Sequence, residues 1–161
     1  MLPCQGRCHR FESGHPLRIM DKPKSPQELY DELSYYTLAH RDPAFIHQEI
    51  VDAFAAQNAD DETKPITLTF ALIGLYLYLD QNCTGRQVQI MHMRLARLNK
   101  KWPVFSLPKE RGEITVSDVL ITKPGSERDA MIKKWCQSVW KAYAESHEQV
   151  KNLIKNILDK K

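Results

Sequence analysis

The sequence predicts an all-α fold: a single-domain helical bundle of four to five main helices ending in a long C-terminal helix. Three observations carry this reading. Helix-start signatures recur after residue 24, at Ser25-Pro26-Gln27-Glu28, Asp42-Pro43, Thr84-Gly85-Arg86-Gln87, Thr115-Val116-Ser117-Asp118 and Ser126-Glu127-Arg128-Asp129. Each offers a side-chain oxygen to the unbonded N–H groups of a first helical turn. Between them apolar residues recur at spacings of three and four, whereas period-two runs are scarce. The chain has 161 residues, 42% hydrophobic and 27% charged, enough for one sizeable core.

The elements follow in order. The first helix, about Pro26 to Ala39, places Leu29, Leu33 and Tyr36 on one face, which His40 continues. The second, about Pro43 to Asn58, has Ile46, Ile50, Val51, Ala53 and Phe54 on its apolar side together with His47 and Gln57. Gln48, Glu49 and Asp52 fall outside that side. The third, about Pro65 to Asp80, is apolar nearly all round and reads as the central helix, with Gly74 marking a close crossing. The fourth, about Arg86 to Lys100, turns Val88, Met91, Leu95 and Leu98 inward, with His92 at the edge. A proline-bounded loop from Trp102 to Gly112 straps across the bundle, and a short helix spans about Val116 to Ile121. The last helix, about Glu127 to Leu158, carries Cys136, Val139, Tyr143, Ser146, Val150, Leu153 and Ile157 at alternating spacings of three and four, a coiled-coil-like seam.

Residues 1–24 read as a leader and 25–161 as the bundle. The leader holds Cys4, Cys8, His9 and His15, which suit either a metal knuckle or an unstructured tail ahead of a true start at Met20. It has no apolar stretch of the kind a secretory signal needs, so a cytoplasmic location with reduced thiols is expected for the four cysteines. The longest apolar run, Ile66 to Leu79, is about 14 residues, short for a membrane span. Charge is uneven: the first 80 residues hold seven Lys/Arg against twelve Asp/Glu, the rest sixteen against eight. That asymmetry suits attraction between the halves, solvated helix faces or an anionic partner.

The string Y-T-L-A-H-R-D-P-A-F-I-H-Q-E-I-V-D-A-F-A-A-Q, Tyr36 to Gln57, resembles a bacterial domain family of unknown function. T-G-R-Q-V-Q, H-M-x-L-A-R, K-W-P, I-T-V-S-D-V-L and E-R-D-A-M-I-x-x-W-C-x-S-V-W are similar to the same family, so the likeness covers roughly Tyr30 to Tyr143. It brings no activity with it.

Four constellations carry candidate chemistry. His40, His47 and His92 come from separate parts of the bundle, and three neutral imidazoles with an open position suit a divalent metal such as zinc, nickel or iron. Such a site would support a hydrolase or transferase; the alternative is that each imidazole satisfies a buried carbonyl or hydroxyl. Tyr36, His47, Gln57 and Tyr76 form a candidate ligand pocket for a small molecule, within a wider tyrosine set that includes Tyr30, Tyr35 and Tyr78. Arg86, Arg94, Arg97, Lys100, Lys101 and Trp102 make a basic stretch, but no nucleic-acid motif surrounds it and a solvated face is the better reading. The C-terminal seam suits either a homodimer or packing back onto the bundle, so a protein–protein interaction module stands as the alternative function. Cys83 and Cys136 lack the sequence context of a nucleophile.

Overall fold

The computed structural model describes residues 22–98 and 100–159, so Cys4, Cys8, His9 and His15 of the leader lie outside the described residues. Among the described residues there are seven α-helices and no strand. They are α1 (Pro26–Ala39), α2 (His47–Gln57), α3 (Pro65–Leu79), α4 (Gly85–Ala96), α5 (Val116–Ile121), α6 (Ser126–Ala142) and α7 (His147–Leu158), with a 3-10 turn at Ala144–Ser146.

Three of the capping boxes form as read. Ser25 and Glu28 exchange backbone and side-chain hydrogen bonds at 3.3 and 2.7 Å, and Thr84 with Gln87 does the same at 3.3 and 2.8 Å. Asp118 accepts from the backbone N–H and the hydroxyl of Thr115, both at 2.8 Å.

The centre is α3, which packs against α2, α4, α6 and α7. Eight of its 15 residues are buried, which is why its sequence is apolar on every face. Gly74 marks the closest approach: a Cβ there would stand 1.9 Å from Asp52 Oδ2 on α2. The core continues through Leu33, Ile50, Val88, Leu95, Val119, Ile132, Trp135, Val139 and Val150.

Three local expectations are corrected. The Asp42-Pro43 pair does not start α2, which begins four residues later at His47. Instead the Asp42 carboxylate accepts from Ala44 N at 2.8 Å and Ile46 N at 3.0 Å and so caps the turn before the helix. That turn takes Phe45 into the left-handed region at φ 60° and seats it on α4. Arg86 N donates to Ala44 O at 2.8 Å, and a Cβ on Gly85 would stand 2.0 Å from Phe45 O. At α6, Ser126 lies inside the helix and Gly125, at φ 104°, occupies the cap position without a side-chain cap. Tyr36 Oη accepts from Gly125 N at 2.8 Å and donates to Asp129 at 3.0 Å, which ties this helix start to α1.

The C-terminal helical stretch runs from Ser126 to Leu158 with one break, at Tyr143 and the 3-10 turn. His147 bonds the Trp140 carbonyl at 2.8 Å and stacks on its indole at 3.8 Å, satisfying a carbonyl at the end of α6. Five residues of the seam, Cys136, Val139, Tyr143, Ser146 and Val150, are buried within the chain, Leu153 and Ile157 are partly buried, and α7 packs on α3.

Gly74→Ala drives a methyl into the short, buried Asp52 carboxylate, and a loss of about 1–3 kcal/mol is expected. Combined with Asp52→Ala, which clears the space, the double variant loses less than the two single losses together. Chemical denaturation of the four proteins checks this; strict additivity would show that the contact does not set the crossing.

Candidate functional site

The α2–α3 crossing buries two carboxylates that the amphipathic reading placed outside the apolar side of α2. Glu49 is 6% exposed and Asp52 4%. The correction has a physical source: α2 is covered by α3, α4, α6 and α1 together, so its nominally polar stripe also faces protein. Asp52 accepts from Gln48 Nε2 at 3.2 Å. The same amide nitrogen lies 3.4 Å from His92 Nδ1, while His92 Nε2 bonds the Phe70 carbonyl at 3.0 Å. Glu49 takes a hydrogen bond from the Tyr78 hydroxyl, but its Oε2 has no partner. Cys136 Sγ donates to the Glu49 carbonyl at 3.7 Å.

This polar centre lacks a close counter-charge. Burial pushes the Glu49 carboxyl up to about 8, against relief from Tyr78 and a more distant Lys133. Burial, with Glu49 alongside, raises Asp52 well above the usual carboxylate range. The thiol of Cys136 and the phenol of Tyr78 are raised by burial too, and by the neighbouring carboxylates. Burial lowers His92 to about 4, so it is a neutral imidazole with Nε2–H donating to Phe70. The cluster is therefore a set of protonated or neutral groups, structural in character and without an opening to solvent among the grooves described below.

The sequence-predicted histidines are held apart. His40 is exposed, with Nδ1 bonded to Tyr36 O at 2.7 Å. His47 faces α1, its Nδ1 at 2.9 Å from Thr37 Oγ1, and burial lowers its pKa. His92 meets Gln48, which lies about 100° round α2 from His47. Among the described residues no three His, Cys, Asp or Glu side chains are grouped so as to hold a metal ion. The candidate pocket residues are likewise dispersed. Tyr36 binds the start of α6, with Arg128 stacked 4.7 Å above its ring. Tyr76 accepts from Gln81 at 3.0 Å and tilts against Trp140.

Gln57 stands elsewhere, at the end of α2, and its environment is the more informative. Its amide accepts from Trp135 Nε1 at 2.8 Å and donates to Ile114 O at 2.8 Å and Arg111 O at 3.3 Å. This clamp pins the loop before α5 onto the bundle. It leaves a groove of about 430 Å³ between α1, α2 and that loop. Leu29, Phe54 and Val116 supply apolar surface, with Phe54 braced by Tyr30 in a stack at 4.1 Å. Lys109 and Arg111 supply positive charge beside Glu110, and Lys24, at the rim, is paired with Glu32 at 2.6 Å. Arg111 is half-buried and forms no ion pair among the described residues; its side chain reaches the Tyr143 hydroxyl, but its Nε is buried without a partner. Sequence reading named Gln57 and missed Arg111, because an arginine in a loop has no periodicity to mark it as buried.

The family model described as a family of unknown function, DUF5946, matches residues 8–144. No curated protein matches the chain, and no solved structure does. No described helix is long and apolar enough to cross a membrane.

The buried acids give a pH dependence with a definite sign. A carboxyl raised from 4.5 to about 8 in the fold contributes stability below its unfolded value and loses it as pH climbs through that window. The slope reaches about 1.4 kcal/mol per pH unit for one full proton. His92, lowered from 6.5 to about 4, acts in the opposite direction and loses stability as pH falls from 6.5. The two oppose each other between pH 4.5 and 6.5, the raised Asp52 carboxyl adds to the loss as pH rises, and stability should fall from 6.5 to 8. Glu49→Gln removes one titration, so the fall becomes shallower and the variant gains about 2 kcal/mol on wild type between pH 6.5 and 8. Denaturation midpoints across pH check this; parallel profiles would show that Glu49 is not protonated in the fold.

Proposed function

The chain belongs to DUF5946, a family of unknown function, and from its geometry we propose a small-molecule-binding helical bundle whose ligand is an anion held in the groove around Arg111. The observation that carries the reading is Arg111, a half-buried residue that lines a groove of ligand size and forms no ion pair among the described residues. A hydrogen bond from the guanidinium to a carboxylate or phosphate oxygen of a ligand is charge-assisted and stronger than one between neutral groups. Arginine presents a planar fork of donors that matches either group, and Lys109 adds a second charge at the rim. Leu29 and Phe54 offer an apolar surface for the rest of the ligand, while Gln57 fixes the loop that carries Arg111. Binding rather than catalysis is proposed, because the strongly perturbed carboxylates sit at the α2–α3 crossing and not in this groove.

Ligand-observed NMR against a fragment set of matched carboxylates, phosphates and neutral analogues tests the reading. Anionic fragments should be enriched among the binders, and Arg111→Met should weaken them at least about tenfold while helical circular dichroism is kept. Equal binding of neutral analogues, or anion binding unchanged in Arg111→Met, would defeat it.

A further inference from the structure

A second groove lies between α7 and residues 100–104, at the start of the strap. It encloses about 790 Å³. One wall is a row of amides: Gln149, Asn152 and Asn156, at i, i+3 and i+7, fall on one stripe of α7. None of them bonds another described residue. The other wall is Trp102, whose ring meets Phe70 edge-on at 5.1 Å. The strap behind it is anchored by Thr69 Oγ1 donating to Pro103 O at 3.4 Å and by the buried Phe105. Lys100 and Lys101 line the groove, and among the described residues no Asp or Glu does.

We propose that this groove binds an extended, acidic peptide segment of a partner protein. A primary amide offers an acceptor and two donors, the complement of a backbone C=O and N–H. Seven residues of helix rise about 10.5 Å, so the amide row spans about three residues of extended chain. Trp102 and the 77%-exposed Val104 give a flat apolar wall for side chains on one edge of such a strand. The two lysines, with no carboxylate opposing them, select acidic side chains. Val150 and Ile154 of α7 are packed inward, so the groove reads backbone and charge without disturbing the core.

The probe is a fluorescein-labelled 12-residue peptide of glutamate, glycine and valine, followed by anisotropy, with a glutamine-for-glutamate peptide beside it. Trp135 and Trp140 are buried, so a change in indole emission reports on Trp102. The acidic peptide should bind with an emission shift. Affinity should fall at least about tenfold in Asn152→Ala/Asn156→Ala and in Lys100→Glu/Lys101→Glu, both surface changes that leave circular dichroism unaltered. No binding at about 1 mM peptide, or equal binding of the glutamine peptide or to the variants, would overturn the proposal. So would preferential binding of a 12-residue oligothymidylate, which assigns the groove to single-stranded nucleic acid. A doubled mass in light scattering that returns to monomer in Asn152→Ala/Asn156→Ala would assign it to a second copy.

Discussion

The structure depends on the contact between Gly74 and Asp52. Two helices cross closely only where one gives up its side chain, and here the space yielded by Gly74 is filled by a carboxylate, not by a methyl group. An ionised carboxylate in that position would face a desolvation penalty of several kcal/mol, so the fold keeps it protonated and ties it to Gln48. From this point polar contacts run outward along the core, Gln48 toward His92 and His92 to the Phe70 carbonyl, and the Phe70 ring meets Trp102 edge-on. The helix that supplies Asp52 also supplies Glu49 and Gln57. The same helix thus holds the protonated centre and, at its far end and turned to another side, the clamp on the Arg111 loop.

The overall class was legible because helix starts are local chemistry. Ser25, Thr84 and Thr115 cap their helices within four residues of sequence, and no tertiary contact is needed to recognise them. The central position of α3 was legible for a related reason, since a helix without a polar face has nowhere else to lie. Gly74 also stood out, because a glycine in the middle of such a helix costs helix propensity and needs a compensating contact. The start of α2 was not legible. Asp42 can serve a helix or a turn with the same carboxylate, and the left-handed Phe45 that decides the matter is specified by its seat on Gly85, some 40 positions away.

The candidate sites were less legible than the fold, and the reason is coverage. Periodicity assumes that a helix has one wet side. Because α2 is contacted from four directions, Glu49 and Asp52 read as surface residues and are core residues. His40, His47 and His92 looked like a set because they flank the same helices, yet adjacent positions on a helix point about 100° apart, and α1 and α4 draw them to different sides of α2. Arg111 and the amide row of α7 carry no signature at all in one dimension. Each becomes conspicuous only when a neighbour's absence, a missing carboxylate or a missing hydrogen bond, can be seen.

Both grooves share a wall made from the irregular stretch between α4 and α5, and this arrangement follows from how that stretch is held. It is anchored by Thr69 at Pro103, by Gln57 at Arg111 and Ile114, and by Ser138 Oγ, which accepts from Glu113 N and Ile114 N. Between these anchors the backbone is free of the helical ladder; Phe105 is buried and Trp102 and Leu107 pack against the core, while Val104 stays exposed. The helices contribute rigid floors and the strap contributes the cations Lys100, Lys101, Lys109 and Arg111. The acids at the α2–α3 crossing are buried between the helices, and the proposed binding uses the loop laid across them. A chemistry based on those acids would require opening the crossing itself, whereas binding at the strap requires only a ligand that supplies the acceptors the strap lacks.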